Sequence, residues 1–234
     1  MRVEPYTVGS YMHVLKRGAR GMPITRDQKD KWRFVRLLYH MNDTFKDEYW
    51  ERSTAELGLF DRPEHWPERE PLVKILAWTL MTNHFHLILK EIMPGGMAKF
   101  MQKLSNSMSS HFNKKYDEKG SLFQGAYKSS TIAEDSYLRW LAPYVMVKNV
   151  FELYPGGLRR AAEDFDTAWN WGTQNYPFSS LPDFIGKQKS PLLEKDILED
   201  MFSSHADFKK VSKEMILSRK WEKKEDKFRI ITLE

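Results

Sequence analysis

Runs of apolar residues, either alternating or continuous, predict four β-strands along the chain. YMHVLKR (residues 11–17) alternates between apolar and polar positions, whereas LVKILAWTL (residues 72–80) is apolar on both faces, which is typical of a central strand. A Thr-Asn turn leads from this run into the strand of MTNHFHLIL (residues 81–89), so the two runs are predicted to form a hairpin. AYKSSTI (residues 126–132) is predicted to be the fourth strand.

Apolar residues at intervals of three and four predict the main helices. Phe34, Val35 and Leu38 lie on one face of the first helix, and a helix of about 20 residues follows the MPGG loop at residues 93–96. A third helical segment, DSYLRWLAPYVMVKN, contains Pro143, which has no N–H and must kink or restart the helix. The order strand, helix, strand pair, helix, strand, helix predicts an α+β fold with an antiparallel sheet and helices packed on one face.

The chain changes character after the YPGG turn at residues 154–157. WNWGTQNYPFSSLPDF (residues 169–184) is predicted to be a loop, and two short helices are predicted beyond residue 190. The charged run SRKWEKKEDKFRI near the end is predicted to be a solvated surface. We therefore divide the chain into a principal domain, residues 1–157, and a C-terminal loop and helical extension, residues 158–234.

The net charge indicates which kind of partner the protein binds, and the absence of cysteine limits which side chains could ligate a metal ion. Lys and Arg number 37 against 32 Asp and Glu, a net charge of +5 that suits an anionic partner, nucleic acid first. With no cysteine, disulfides and thiolate zinc sites are excluded, so a metal would need His, Asp, Glu, Asn or Gln ligands. The pattern predicts no signal peptide, no membrane span and no membrane partner, and we expect a cytoplasmic protein.

The His-Phe-His sequence is the first candidate for chemistry. Successive side chains of a strand point to opposite faces, so His84 and His86 share one face with Ile88. Two neighbouring imidazoles can hold a metal ion through neutral nitrogens, or they can be a hydrogen-bonded pair at the rim of a sheet. His13 on the first strand can approach them, although a packed or surface histidine is the simpler interpretation.

Four ordered blocks within residues 11–157 resemble the single-tyrosine HUH transposases of the IS200-like superfamily, and more narrowly the REP-associated tyrosine transposases. The blocks are YMHVLKRGARGMPI, MTNHFHLIL, FMQKLSNSMSSHFNKKYDEKGSLFQGAYKS and YVMVKN. The resemblance implies a ferredoxin-like HUH endonuclease fold with helices on one face of the sheet. It also implies a metal-dependent DNA transposase and endonuclease that nicks and rejoins single-stranded or hairpin DNA through a covalent phosphotyrosine.

The resemblance also implies roles for individual residues. His84 and His86 would hold Mg²⁺ or Mn²⁺, which polarises the scissile phosphate, and Tyr144 would attack it. The hydroxyl of tyrosine, with an ordinary pKa of about 10, must lose its proton as it attacks. Family members carry an amide one helical turn after the tyrosine, where this chain has Lys148, an ammonium with no acceptor atom. Asn149, one residue further, is the predicted third ligand after a change of helix register near Pro143.

Several assignments remain open from the sequence. Tyr137 is the rival nucleophile, and the oligomeric state is either monomer or homodimer. A domesticated protein that binds DNA hairpins without cutting them is the main alternative function, and another type of metal-dependent phosphodiesterase is a third. The basic residues predicted to contact DNA phosphates are Lys99, Lys103, Lys114, Lys115, Lys128 and Arg139.

Overall fold

A four-stranded antiparallel sheet forms the centre of the fold. The computed structural model describes residues 7–218. The strands are β1 (Tyr11–Arg17), β2 (Val73–Leu80), β3 (His84–Glu91) and β4 (Lys128–Ile132), in the spatial order β2-β3-β1-β4. Neighbouring strands are antiparallel throughout. The four predicted strands and the hairpin of β2 with β3 are therefore confirmed.

The helices of the described chain fall between the strands and after β4. They are α1 (Gln28–His40), α2 (Trp50–Ser53), α3 (Gly96–Tyr116), α4 (Asp135–Pro143), α5 (Asn149–Glu152), α6 (Gly157–Glu163), α7 (Phe165–Gln174), α8 (Leu181–Phe184), α9 (Ile197–Met201) and α10 (His205–Ser218). A π-helical segment, Tyr144–Lys148, joins α4 to α5, so the helix changes type directly after Pro143, where a kink or restart was predicted. Within residues 7–218, no helix is both long and apolar enough to cross a membrane.

Both faces of the sheet are covered by helices. On one face, Phe34 of α1 packs against Phe85 of β3, and Phe100 of α3 belongs to the same hydrophobic cluster. On the other, the π-helical segment and the helices after it pack around Ile88 of β3, with Phe208 of α10 in the same cluster. The α+β class and the antiparallel sheet are confirmed, and helices lie on two faces where the pattern predicted one. Each large apolar side chain buried in these layers contributes about 1.5–3 kcal/mol.

The C-terminal extension runs along the outer edge of β2. The N–H of Leu80 donates to the carbonyl of Phe178 and the N–H of Ser180 to that of Trp78, both at 2.9 Å. The prediction of a loop for residues 169–184 was wrong at both ends, because residues 169–174 belong to α7 and residues 181–184 form α8. The two short helices predicted beyond residue 190 are confirmed as α9 and α10. The charged run near the end lies, apart from its first residue, outside the described residues.

Candidate active site

Three histidines lie together on the face of the sheet that the later helices cover. His84 and His86 project from β3 on the same side as Ile88, and His13 of β1 lies opposite Ile88 in the register. The Nε2 atom of His13 is 2.9 Å from Nδ1 of His86, and the rings of His84 and His86 are 4.9 Å apart between centroids. His13 is therefore buried, and it contacts His86 of the candidate site, the approach that the sequence left open.

The protonation of these histidines suits metal binding. Burial lowers the pKa of His84 to about 4, with the charges of Arg17 and Lys148 acting in the same direction. Burial also holds the pKa of His86 well below its ordinary value and lowers that of His13 to about 3. All three imidazoles are consequently neutral at pH 7, which is the form that can ligate a metal ion.

Tyr144 lies directly against the histidine cluster. Its ring centroid is 5.9 Å from that of His86 and 6.4 Å from that of His13, and its side chain is buried. Trp140 stacks on the other side of the Tyr144 ring at 5.1 Å, and Tyr137 stacks on Trp140 at 5.6 Å. Of the two candidate nucleophiles, Tyr144 contacts the histidines, and Tyr137 is separated from Tyr144 by the indole of Trp140.

A π-helical turn brings Tyr144 and the residues after it to this place. Pro143 ends α4, and the N–H of Asn149 then donates to the carbonyl of Tyr144, five residues earlier. Thr79 of β2, which lies opposite His86 in the register, donates its hydroxyl to the carbonyl of Val145 at 2.5 Å. The bond ties the π-helical segment to the sheet beside the histidines.

Replacing Thr79 with Val is expected to lower the free energy of unfolding by about 1–3 kcal/mol, because the buried carbonyl of Val145 loses a hydrogen bond without a change of side-chain volume. Urea denaturation measures the difference. Thr167→Val, at an exposed position of α7, is the matched control and should lie within about 0.5 kcal/mol of the wild type. Equal stability of the two variants would contradict the anchoring role of Thr79.

The two residues at the expected third-ligand position differ in their surroundings. Lys148 is 2% exposed, its Nζ lies 4.8 Å from the centroid of the Tyr144 ring, and it forms an ion pair of 2.7 Å with Glu152. Asn149 is also buried, and its Nδ2 atom has no hydrogen-bond partner among the residues that the structure describes. An unsatisfied buried amide N–H group is unusual in a folded protein. This nitrogen is a hydrogen-bond donor, whereas a metal ion would be held by the amide oxygen of Asn149.

The donor set fits a divalent metal ion through its two histidines. The Oδ1 atom of Asn83 is 2.7 Å from Nδ1 of His84, and Nε2 of His13 is 2.9 Å from Nδ1 of His86. When Nδ1 of each ring donates this hydrogen bond, its Nε2 atom can ligate a metal ion. Between residues 7 and 218, no three His, Cys, Asp or Glu side chains form a group suited to a metal. A third ligand would therefore be an amide, with Asn149 as the candidate, or an oxygen of water or substrate.

The lysines of α3 lie on the other face of the sheet from the histidines. Lys103 donates to the carbonyls of Asp43 and Phe45, and burial lowers its pKa to about 8. Lys115 forms ion pairs with two aspartates of the α1 region, whereas Lys99 and Lys114 are exposed. The structure does not bring this group of lysines together with the histidine cluster.

The remaining predicted basic residues are on the histidine side. Lys128 is exposed on β4 and pairs in the register with Leu15, which places it on the histidine face. Arg139 of α4 is engaged with the carbonyl of Met201 and with Asp207 of α10. Arg17 is exposed and lies opposite His84 in the register, but it is not among the residues predicted from the sequence. Its place on the histidine face follows only once β1 is known to lie beside β3.

The fold and the site together define an antiparallel α+β domain in which a strand with two histidines faces a helical tyrosine. Residues 68–148 match the family model described as Transposase IS200 like. The match extends over β2, β3 and the π-helical segment, so it includes His84, His86 and Tyr144. The resemblance to the IS200-like transposases predicted from the sequence blocks is confirmed over these residues.

Several solved chains are similar to this chain, and one of them is similar over most of its length. It is described as "Structure of the REP associates tyrosine transposase bound to a REP hairpin". The TM-score is 0.40 and the sequence identity 12%, and the similarity covers 84% of this chain and 93% of that chain. No relative among curated proteins matches the chain at a significant level.

Proposed function

We propose that the protein is an HUH-type tyrosine transposase, a metal-dependent endonuclease that nicks and rejoins single-stranded or hairpin DNA through a phosphotyrosine. The observation that carries this proposal is the contact of Tyr144 with His86, 5.9 Å between ring centroids, inside a region that matches the IS200-like transposases. His84 and His86, with Asn149 as the third candidate, would hold Mg²⁺ or Mn²⁺, which supplies positive charge to the scissile phosphate when bound.

In the proposed reaction, Tyr144 is the nucleophile and the histidines have a different role. The Oη atom of Tyr144 forms a bond to phosphorus while a backbone P–O bond breaks, and the hydroxyl proton leaves as the departing oxygen gains one. The histidines are poor proton acceptors because burial lowers their pKa, to about 4 in His84. Their role in this scheme is to ligate and orient. The ester to Tyr144 retains the energy of the broken bond, so DNA can be rejoined without ATP.

A second function is favoured by one observation. Lys148 lies where relatives carry an amide, and its ammonium cannot ligate a metal ion. A protein with a weakened metal site would bind DNA hairpins without cleaving them, as a domesticated relative would.

A covalent adduct distinguishes the two functions, because only the tyrosine mechanism forms one. The protein is incubated with a panel of single-stranded hairpins and Mn²⁺, and the products are separated on a denaturing gel. A labelled species that migrates as protein joined to DNA is the expected result. Hairpin binding without an adduct for Mg²⁺ or Mn²⁺ would favour the binding protein.

Replacing Lys128 with Ala is expected to weaken hairpin binding and to reduce the slope of log affinity against log salt by about 0.7–0.9, the value of one lost phosphate contact. Fluorescence anisotropy at a series of salt concentrations measures the slope. Lys115→Ala is the matched control, because its ammonium is already paired with Asp27 and Asp30. A larger change of slope for Lys115→Ala than for Lys128→Ala would place the DNA against α3.

A further inference from the structure

Lys148 is a buried cation inside the candidate active site. Its side chain is 2% exposed, and its Nζ lies 4.8 Å from the centroid of the Tyr144 ring. Its charge also contributes to the lowered pKa of both His84 and His86, so it is within electrostatic reach of each. A buried ammonium needs an anion beside it, because removing the charge from water is costly.

Glu152 supplies that anion from the surface. Its Oε1 atom is 2.7 Å from Nζ of Lys148, one helical turn later, and its side chain is 37% exposed. The pair is therefore asymmetric: the cation is enclosed by Tyr144 and the neighbouring elements, and the carboxylate reaches it from solvent. Rotation of the exposed Glu152 side chain would let another anion approach the ammonium from the solvent side.

We propose that Lys148 binds the scissile phosphate, and that the carboxylate of Glu152 occupies the position of that phosphate when DNA is absent. This inference rests on the proposed function and identifies a catalytic residue for it. A phosphate oxygen and a carboxylate oxygen are both anionic acceptors for an ammonium, so one can replace the other. Lys148 cannot ligate a metal ion, but its ammonium can bind the phosphate.

The proposed contact stabilises charge where the reaction creates it. As Oη of Tyr144 bonds to phosphorus and the backbone P–O bond breaks, negative charge builds on the non-bridging oxygens. An ammonium already fixed near the tyrosine ring stabilises that charge without further reorganisation. Lys148 exchanges no proton in this step. The hydroxyl of Tyr144 loses one proton, and the departing oxygen of the DNA gains one.

Three variants test the proposal. Lys148→Met keeps the length of the side chain without its charge, and Lys148→Gln introduces the amide that relatives carry. Both are expected to lower the rate of adduct formation with hairpin DNA and Mn²⁺ by about 100-fold, similar to the loss of one donor from an oxyanion site. Glu152→Gln removes the competing anion and is expected to tighten hairpin binding several-fold, measured by anisotropy, while Mn²⁺ affinity measured by calorimetry stays unchanged.

Glu163→Gln is the matched control for charge. Glu163 is a glutamate whose i,i+4 ion pair with Arg159 lies at an exposed position of α6, so its loss changes net charge without touching the site. Hairpin affinity equal in Glu152→Gln and Glu163→Gln would overturn the proposal. Faster adduct formation together with tighter Mn²⁺ binding in Lys148→Gln would also overturn it, because the lysine would then be blocking a ligand position.

The readouts separate failure of this inference from failure of the proposed function. If the wild-type protein binds hairpins but forms no adduct, the transposase function fails, and weaker binding by Lys148→Met with tighter binding by Glu152→Gln still supports a phosphate at Lys148. If both Lys148 variants fail to fold, as circular dichroism would reveal, the binding comparison of Glu152→Gln with Glu163→Gln decides the question alone.

Discussion

Replacing Tyr144 with Phe is expected to abolish the covalent protein–DNA adduct and to leave hairpin binding intact. The substitution removes the attacking oxygen, and no other group in the scheme can form the phosphotyrosine. The ring remains between Trp140 and the histidines, so the free energy of unfolding should change by only about 1 kcal/mol. A denaturing gel of the Mn²⁺ reaction measures the adduct, and anisotropy measures binding.

Tyr137→Phe is the matched control for this experiment, because it removes the same atom from the same aromatic stack. Burial raises the pKa of Tyr137 to about 12, so its hydroxyl loses a proton less readily than an ordinary tyrosine. The control is expected to form the adduct at the wild-type rate. An adduct that persists in Tyr144→Phe and disappears in Tyr137→Phe would make Tyr137 the nucleophile.

Replacing His84 and His86 together with Ala is expected to abolish metal-dependent cleavage and to remove measurable Mn²⁺ binding. The two proposed nitrogen ligands are lost, whereas Tyr144 and Lys148 stay in place. Calorimetry with Mn²⁺ gives a readout that does not depend on DNA. His65→Ala, at an exposed histidine outside the site, should bind Mn²⁺ as the wild type does.

The stability of this double variant must be measured alongside its activity. His86 is 4% exposed and bonds to His13, so it is part of the packed interior, and only His84 has the partial exposure expected at a rim. Loss of the buried contact is expected to lower the free energy of unfolding by about 1–3 kcal/mol. A folded double variant that still cleaves DNA with Mn²⁺ would make the histidines structural.

The strands and helices whose apolar residues recur at regular intervals could be predicted from the sequence. β1 was predicted with its bounds, and the apolar stripe of α3 gave that helix to within a few residues. A loop was predicted over residues 169–174 of α7 because Asn170 and Gly172 are typical of loops. Its buried residues Phe165, Ala168 and Trp169 do have helical spacing. That spacing indicates a helix with one buried face, but it does not show which face of the sheet the helix packs against.

The candidate site could be predicted only in outline. The spacing of His84 and His86 placed them on one face, and the motif indicated Tyr144. The contact of His13 with His86 depends on β1 lying beside β3, a strand order that the alternation of apolar residues does not determine. The position of Lys148 under the tyrosine ring depends on a π-helical turn, which forms through hydrogen bonds absent from any local sequence pattern.

The pairing of β2 with the C-terminal extension has a consequence for the order of events during synthesis. The bond from Leu80 to Phe178 joins residues far apart in the chain, and Arg139 of α4 is held by Met201 and Asp207. Such non-local contacts form only after both partners have left the ribosome, and they slow folding. A nascent chain that has already exposed β3 therefore lacks the contacts that hold β2 and α4 until Phe178, Met201 and Asp207 have also been synthesised.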